Sequence, residues 1–186
     1  FDNDGDLDLF VLNYVEWSIE KDLFCALDGK NKSYCTPESY QGASAVLYRN
    51  EGSGDFKDVT QEVGLENPRG KGLGVASIDF DQDGWIDLAV ANDTQPNYLY
   101  HNQKGSFVDV GVLSGIAFGE NGTARGAMGI DTSDYDSSGR QSIVIGNFSN
   151  EMVSLYHNEE HNFFIDAAPV SESGRNSLLT LAFGTF

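Results

Sequence analysis

Asp79-Phe80-Asp81-Gln82-Asp83-Gly84-Trp85-Ile86-Asp87 sets carboxylates at positions 1, 3 and 5, a glycine at position 6 and a last carboxylate at position 9. Ca²⁺ is a hard cation that takes roughly six to eight oxygen ligands. Asp79, Asp81 and Asp83 can converge on one centre, with the Trp85 carbonyl as a further donor and Asp87 closing the cage. Gly84 permits the sharp turn without a Cβ clash. Four carboxylates this close repel one another strongly unless a cation sits between them. An EF-hand needs Glu at loop position 12 and a helix on each side, whereas Val90 stands there within a β-type run. The remaining competitor is an Asp-Gly hairpin whose acids are simply solvated.

Recurrence of the loop weighs against that competitor. Phe1-Asp2-Asn3-Asp4-Gly5-Asp6-Leu7-Asp8 matches it without the first Asp. Its ligands would be Asp2, Asp4, the Asp6 carbonyl and Asp8, an incomplete set expected to bind weakly. Asp134-Tyr135-Asp136-Ser137-Ser138-Gly139-Arg140-Gln141-Ser142 is a degraded third copy. It keeps Asp134, Asp136 and the Arg140 carbonyl but places Ser138 and Ser142 where two carboxylates stood, so it reads either as a calcium loop or as a metal-free turn. After each loop a short β-type run ends in Asn, at Asn13, Asn92 and Asn147.

A second repeated element lies downstream. Leu-Tyr-x-Asn occurs at Leu47–Asn50, Leu99–Asn102 and Leu155–Asn158, each followed by a Phe (Phe56, Phe107, Phe164) and, two positions later, an Asp (Asp58, Asp109, Asp166). Short apolar runs bounded by Gly, Asn, Asp or Pro read as strands. Four such runs recurring at roughly 50 residues read as propeller blades, with a β-helix or sandwich as the runner-up. The expected fold is therefore all-β: a propeller segment of about three four-stranded blades. Blade 1 covers approximately 1–60 with an insertion at 14–44, blade 2 covers 72–111, blade 3 covers 126–168, and 178–186 supplies the first strand of a next blade. A closed ring takes about four to eight blades, so the chain is expected to be a piece of a longer one, with the remaining blades as its partners.

Composition narrows the function. Lys and Arg number 11 against 29 Asp and Glu, a formal charge of −18, which disfavours nucleic acid and anionic membrane surfaces. Hydrophobic residues at 40% are too many for a solvated acidic tail. No apolar run approaches the ~18 residues needed to span a bilayer. Cys25 and Cys35, with no His nearby, make a poor zinc site. A local disulfide in an oxidising compartment is the preferred reading, two free thiols the alternative. The insertion holds both Cys together with Trp17, Phe24, Tyr34 and Tyr40, expected as a small core around the disulfide or as a recognition loop. Tyr48, Tyr100, Tyr156 and the three repeated Phe are expected between blades. His101 and His157 read as exposed strand residues, and His161 stands alone. Asn31, Asn92, Asn121 and Asn147 open Asn-x-Ser/Thr sequons, but Asn92 and Asn147 share their offset with Asn13 and suit turn hydrogen bonding better than a glycan. No nucleophile elbow, Walker loop or His-Glu-x-x-His is present.

The Asp-rich loops, with Phe183-Gly184, resemble FG-GAP/VCBS repeats, the calcium-loop blades of integrin-α-type propellers. The chain is most similar to the bacterial cartilage-acidic-protein-like group, whose propellers often precede an ASPIC/UnbV domain. "LYRNEGSGDFKDVTQEVGL", "DFDQDGWIDLAVANDTQPNYLYHN", "GAMGIDTSDYDSSG" and "YCTPESYQGASAVLYRN" carry the resemblance across nearly the whole chain. It implies a secreted or cell-surface, extracellular or periplasmic, calcium-binding propeller that takes part in adhesion or binds a protein or glycan. No catalytic residue is expected. The competing class is a part of a carbohydrate-active enzyme built on such a propeller, and convergent, non-repeated polar residues in the central channel would favour it.

Overall fold

The computed structural model of the chain describes every residue except His161 and Phe186. Among the described residues eleven strands form three antiparallel sheets of three, four and four strands, each strand pairing with its neighbour in sequence. The first sheet holds β1 (Leu9–Val11), β2 (Val46–Asn50) and β3 (Phe56–Asp58). The second holds β4 (Gly72–Ile78), β5 (Asp87–Asn92), β6 (Tyr98–Asn102) and β7 (Phe107–Asp109). The third holds β8 (Ala127–Ser133), β9 (Ser142–Asn147), β10 (Ser154–Glu159) and β11 (Phe163–Asp166). This is a segment of a β-propeller, as the repeat spacing predicts.

The sheets pack face to face, which explains the apolar sequence of β5. Ala89, Val90 and Ala91 are all buried because both faces of that strand are covered. On one side Leu47, Val59 and Leu65 meet Val90, Tyr98, Tyr100 and Phe107. On the other, Ile78, Ala89 and Leu99 meet Ile143, Ile145, Tyr156 and Phe164. The repeated Tyr and Phe of the second and third sheets thus lie between blades. Their counterpart Phe56 is half exposed, with no sheet of the described residues packed outside it.

Close approach at the inner edge requires glycine. A Cβ on Gly74 would stand 2.6 Å from the Met128 carbonyl oxygen, and one on Gly129 would stand 2.7 Å from that of Phe183. The segment around Phe183 therefore lies against β8 as β8 lies against β4. It is not a strand, however, contrary to the expectation for 178–186: no ladder forms over 178–185, and Phe186 lies outside the described residues. A strand is defined by its partner's hydrogen bonds, and the loop and second strand that would pair with this segment are not among these residues.

Two short helices escape the sequence pattern, α1 (Gly111–Ser114) and α2 (Glu172–Ser177). They follow the outermost strands, where the repeated Asp organises the turn. Asp109 Oδ1 accepts from the Gly111 and Leu99 amides (2.9 and 3.3 Å), and Asp166 Oδ1 from those of Ala168 and Leu155 (3.1 and 3.2 Å). Asp58 Oδ1 does the same for Thr60 at 3.0 Å.

The insertion 14–44 joins β1 to β2, so it emerges at the end of the sheet opposite the Asp-rich loop. Cys25 and Cys35 form a disulfide with Cα atoms 5.2 Å apart. The expected small core is absent among the described residues: Tyr34 is 99% exposed, Phe24 66% and Trp17 55%. Polar contacts hold the segment instead. Asp22 accepts from Trp17 Nε1 (3.3 Å) and Tyr40 Oη (3.4 Å) and pairs with Lys32. Too few apolar atoms face inward there to bury these rings.

Candidate metal centre

All three Asp-rich loops fold into one shape. Position 4 takes a left-handed conformation in each (Asn3 φ 60°, Gln82 φ 62°, Ser137 φ 60°), and the glycine at position 6 follows at φ 98°, 85° and 83°. These turns aim the odd-numbered side chains inward. In the second loop Asp79 accepts from the Asp83 and Gly84 amides (both 3.1 Å), Asp81 from Asp83 (3.3 Å) and Asp83 from Trp85 (2.8 Å). The third repeats this, with Asp134 bonded to the Ser138 and Gly139 amides (both 2.9 Å) and Asp136 to Ser138 (3.1 Å). The first keeps what remains: Asp2 accepts from Asp4 (3.3 Å) and Asp4 from Asp6 (2.9 Å).

The loops differ in how many carboxylates they gather. Asp79, Asp81 and Asp87 each present an oxygen within 4.8 Å of the others, and Asp81, Asp83 and a ring nitrogen of His101 form a second such group. Among the described residues no such acidic group of three forms in the first or third loop. Hard oxygen donors at this separation fit Ca²⁺. The Trp85, Asp6 and Arg140 carbonyls occupy position 7 of their loops, while the Arg140 side chain turns away to donate from Nε to the Asn158 carbonyl (2.9 Å). Hydrogen bonds from Ser138, its side chain first, hold the Asp136 carboxyl below its usual range.

Position 9 serves the fold as well as the acidic cluster. Asp87 is fully buried and accepts from the Asn102 amide (2.7 Å) and the Phe80 amide (3.2 Å). Asp8 repeats both bonds with the Asn50 amide (2.9 Å) and the Phe1 nitrogen (2.7 Å), and Ser142 Oγ accepts from Asn158 (3.2 Å). Burial pushes the Asp87 carboxyl up to about 6, against the pull of its amide donors. Its folded pKa thus exceeds its unfolded one, so the folded state holds the extra proton. In chelator this group withdraws stability as pH rises from about 4 to about 6. Asp87→Asn, followed by urea unfolding across that range, is expected to lose this falling component. An unchanged pH slope would contradict it. A cation favours the ionised carboxylate, so Ca²⁺ is expected to flatten the slope in the parent protein.

The histidines are corrected by the structure. His101 is half buried, not exposed, and its Nε2 lies 3.1 Å from Asp81 Oδ2, close but without hydrogen-bond alignment. His157 Nδ1 lies 3.7 Å from Asp136 Oδ2 and 3.0 Å from the Tyr135 hydroxyl. Arg49 fills the same repeat position; its guanidinium pairs with Glu51 at 2.6 Å, and the charges of Glu51, Glu62 and, more weakly, Asp2 act on it. A basic residue at the variable site of Leu-Tyr-x-Asn therefore stands beside loop position 3. Only the repeat offset, read together with the strand pairing, could have revealed this.

Adjacent loops are tied together. Asn102 Nδ2 donates to the Ile86 carbonyl of its own loop (3.0 Å) and to the Phe1 carbonyl of the preceding one (2.8 Å). Asn158 repeats this with Gln141 (3.1 Å) and Phe80 (3.0 Å). From the other direction, Gln82 Nε2 reaches the Gly139 carbonyl (2.5 Å) and Asn3 Nδ2 that of Gly84 (3.4 Å). The post-loop asparagines do bond to turns: Asn13, Asn92 and Asn147 donate to the carbonyls of Ser44 (2.8 Å), Pro96 (2.8 Å) and Met152 (2.6 Å). With Asn92 and Asn147 buried, neither sequon can carry a glycan in the folded chain.

A family model described as FG-GAP-like repeat matches residues 1–90 and 79–145. Cartilage acidic protein 1 of Mus musculus is 39% identical over 54 residues, 29% of this chain and 8% of that protein. The Homo sapiens protein of the same name gives the same identity and coverage, 39% over 54 residues. That of Xenopus tropicalis is 35% identical over 68 residues, 34% of this chain and 10% of its own length. The chain thus matches no more than 10% of the length of these curated relatives.

Proposed function

The chain belongs to the FG-GAP-like repeat family, and from that premise we propose that it is an extracellular, non-catalytic calcium-binding propeller module that presents a protein or glycan ligand site alongside further blades. The convergence of Asp79, Asp81 and Asp87 carries the reading: buried or half-buried acids gathered within 4.8 Å call for a cation. A formed disulfide favours an oxidising compartment. Among the described residues no helix is long and apolar enough to cross a membrane. When bound, Ca²⁺ would neutralise the loop acids and fix the rim they form. This chain's own residues then hold that rim in register through Asn102, Asn158 and Gln82.

Thermal unfolding tests this directly. With free Ca²⁺ about 100-fold above its Kd, stability rises by about 2.7 kcal/mol over the chelated protein. For a chain of this length that is a melting-temperature gain of roughly 5–10 °C. Asp81→Ala is expected to remove most of the gain, since Asp81 belongs to both acidic groups of the second loop. An unchanged melting temperature in millimolar Ca²⁺ and in chelator would overturn the reading.

A further inference from the structure

At the end of the sheets opposite the Asp-rich loops lies a cavity of about 570 Å³, between the turn after β5, the turn after β9 and the insertion. Its polar groups do not follow the repeat. After the conserved-offset residues Asn13, Asn92 and Asn147 come Tyr14, Asp93 and Phe148, three unlike side chains, and all three line the cavity. Asp93 is only 4% exposed. Its Oδ2 accepts from the Tyr14 hydroxyl at 2.5 Å, while its Oδ1 has no donor among the described residues. Glu151 stands across Gly126 from it. A Cβ built on Gly126 would lie 3.3 Å from Asp93 Oδ1 and 3.5 Å from Glu151 Oε2, so both carboxylates border one point. Glu151 Oε2 accepts the Gly126 amide at 2.8 Å. Among the described residues neither acid has a basic partner within salt-bridge distance; the nearby Arg125 is committed to Asp166 and Glu120. Apolar side chains also line the cavity and are accessible, with Leu73 42% and Phe148 48% exposed.

We infer that this cavity binds an organic ammonium group on an apolar stem, the ammonium between Asp93 and Glu151 and the stem against Leu73 and Phe148. A buried and a half-buried carboxylate without a counter-ion form a site that is incomplete until a cation arrives. The cation is a compact one. The site is bordered by single oxygens of two different side chains, Asp93 Oδ1 and Glu151 Oε2, instead of the two-oxygen edge of one carboxylate that a planar guanidinium fork fits. An ammonium, a point charge with three divergent donors, matches two single oxygens from different directions. Burial, and then the bond to Asp93, raise the Tyr14 phenol, which keeps it a donor to Asp93. The stem gains from leaving water as it covers this apolar surface.

The inference names a ligand class for the recognition role proposed above and rests on it, yet its test is separate: the calcium shift reads the loop rim, and an amine titration reads the other end. The probes are n-hexylammonium, n-hexanol, n-butylguanidinium and N-acetyl-lysine N-methylamide, titrated in Ca²⁺ and followed by NMR chemical shifts of the Thr94 and Gly126 amides. n-Hexylammonium is expected to bind at least ten-fold more tightly than n-hexanol and more tightly than n-butylguanidinium. Glu151→Gln, which keeps an acceptor for the Gly126 amide, and Asp93→Asn, which keeps one for Tyr14, are each expected to weaken it about ten-fold. Equal binding of the alcohol, tighter binding of the guanidinium, or indifference to both substitutions would overturn the inference. Binding of the lysine derivative as tight as that of n-hexylammonium assigns the site to a protein side chain, and much weaker binding assigns it to a free amine; either supports it.

Discussion

Arg125→Met is expected to cost about 3–5 kcal/mol, the loss seen when one partner of a buried ion pair is removed. Arg125 is only 8% exposed. Its Nη1 donates to Asp166 Oδ2 at 2.9 Å and to Ser154 Oγ at 2.7 Å, and Nη2 pairs with Glu120. The Asp166 side chain is 4% exposed, so Met would leave a carboxylate charged in a site that water barely reaches. The melting temperature should fall by roughly 6–20 °C for a chain of this length. Simple loss of packing is separable from a stranded charge. Asp166→Asn in the Arg125→Met background keeps the Oδ1 that accepts from the Leu155 and Ala168 amides while removing the charge. The double variant is therefore expected to be more stable than Arg125→Met alone. If it is less stable, the charge was not the cause.

Asn102→Ala is expected to cost about 3 kcal/mol or more. The residue is fully buried, and its amide nitrogen bridges the Phe1 and Ile86 carbonyls at 2.8 and 3.0 Å. Its Oδ1 accepts from the Gly105 amide at 2.8 Å. Alanine leaves two carbonyls and one N–H without partners, each costing about 1–3 kcal/mol where water cannot replace the bond. Urea unfolding measures the total. Amide exchange gives the more specific reading, because protection should drop in the first loop as well as in the second. A loss under about 1 kcal/mol, or faster exchange confined to the second loop, would show that the bridge does not couple them.

Much of the architecture was written in short-range chemistry and was legible for that reason. Alternate carboxylates with a glycine at position 6 form a turn whose hydrogen bonds span two to five residues, so the pattern carries its own geometry. The repeated Leu-Tyr-x-Asn and the Phe after it marked the inter-blade core because large rings in strands must be covered. What stayed hidden depended on other parts of the chain. His101 reads as an exposed strand residue until the pairing of β5 with β6 brings it over Asp81. The asparagine bridge joins residues 101 and 78 positions apart, beyond any local pattern. Tyr14, Asp93 and Glu151 looked unrelated in sequence because they break the repeat. In α1 the helix is too short for a period to show, and its only signal, Gly115 closing it at φ 94°, also reads as a turn. The strand expected at 178–186 erred in the opposite direction, since a strand-like composition cannot supply the neighbour that makes it a strand.

The bridge from each asparagine to the loop before it has a consequence for biosynthesis. During vectorial emergence from the ribosome, the first loop lacks its last hydrogen-bond donor until Asn102 has been made, 101 residues after Phe1. The second loop waits in the same way for Asn158, 78 residues after Phe80. A nascent blade with its own four strands complete is thus still chemically unfinished, and its acidic turn stays open to the medium while the next blade is translated. The hydrogen bonding of each loop is thus completed one blade behind synthesis, in the order in which the ribosome releases the asparagines.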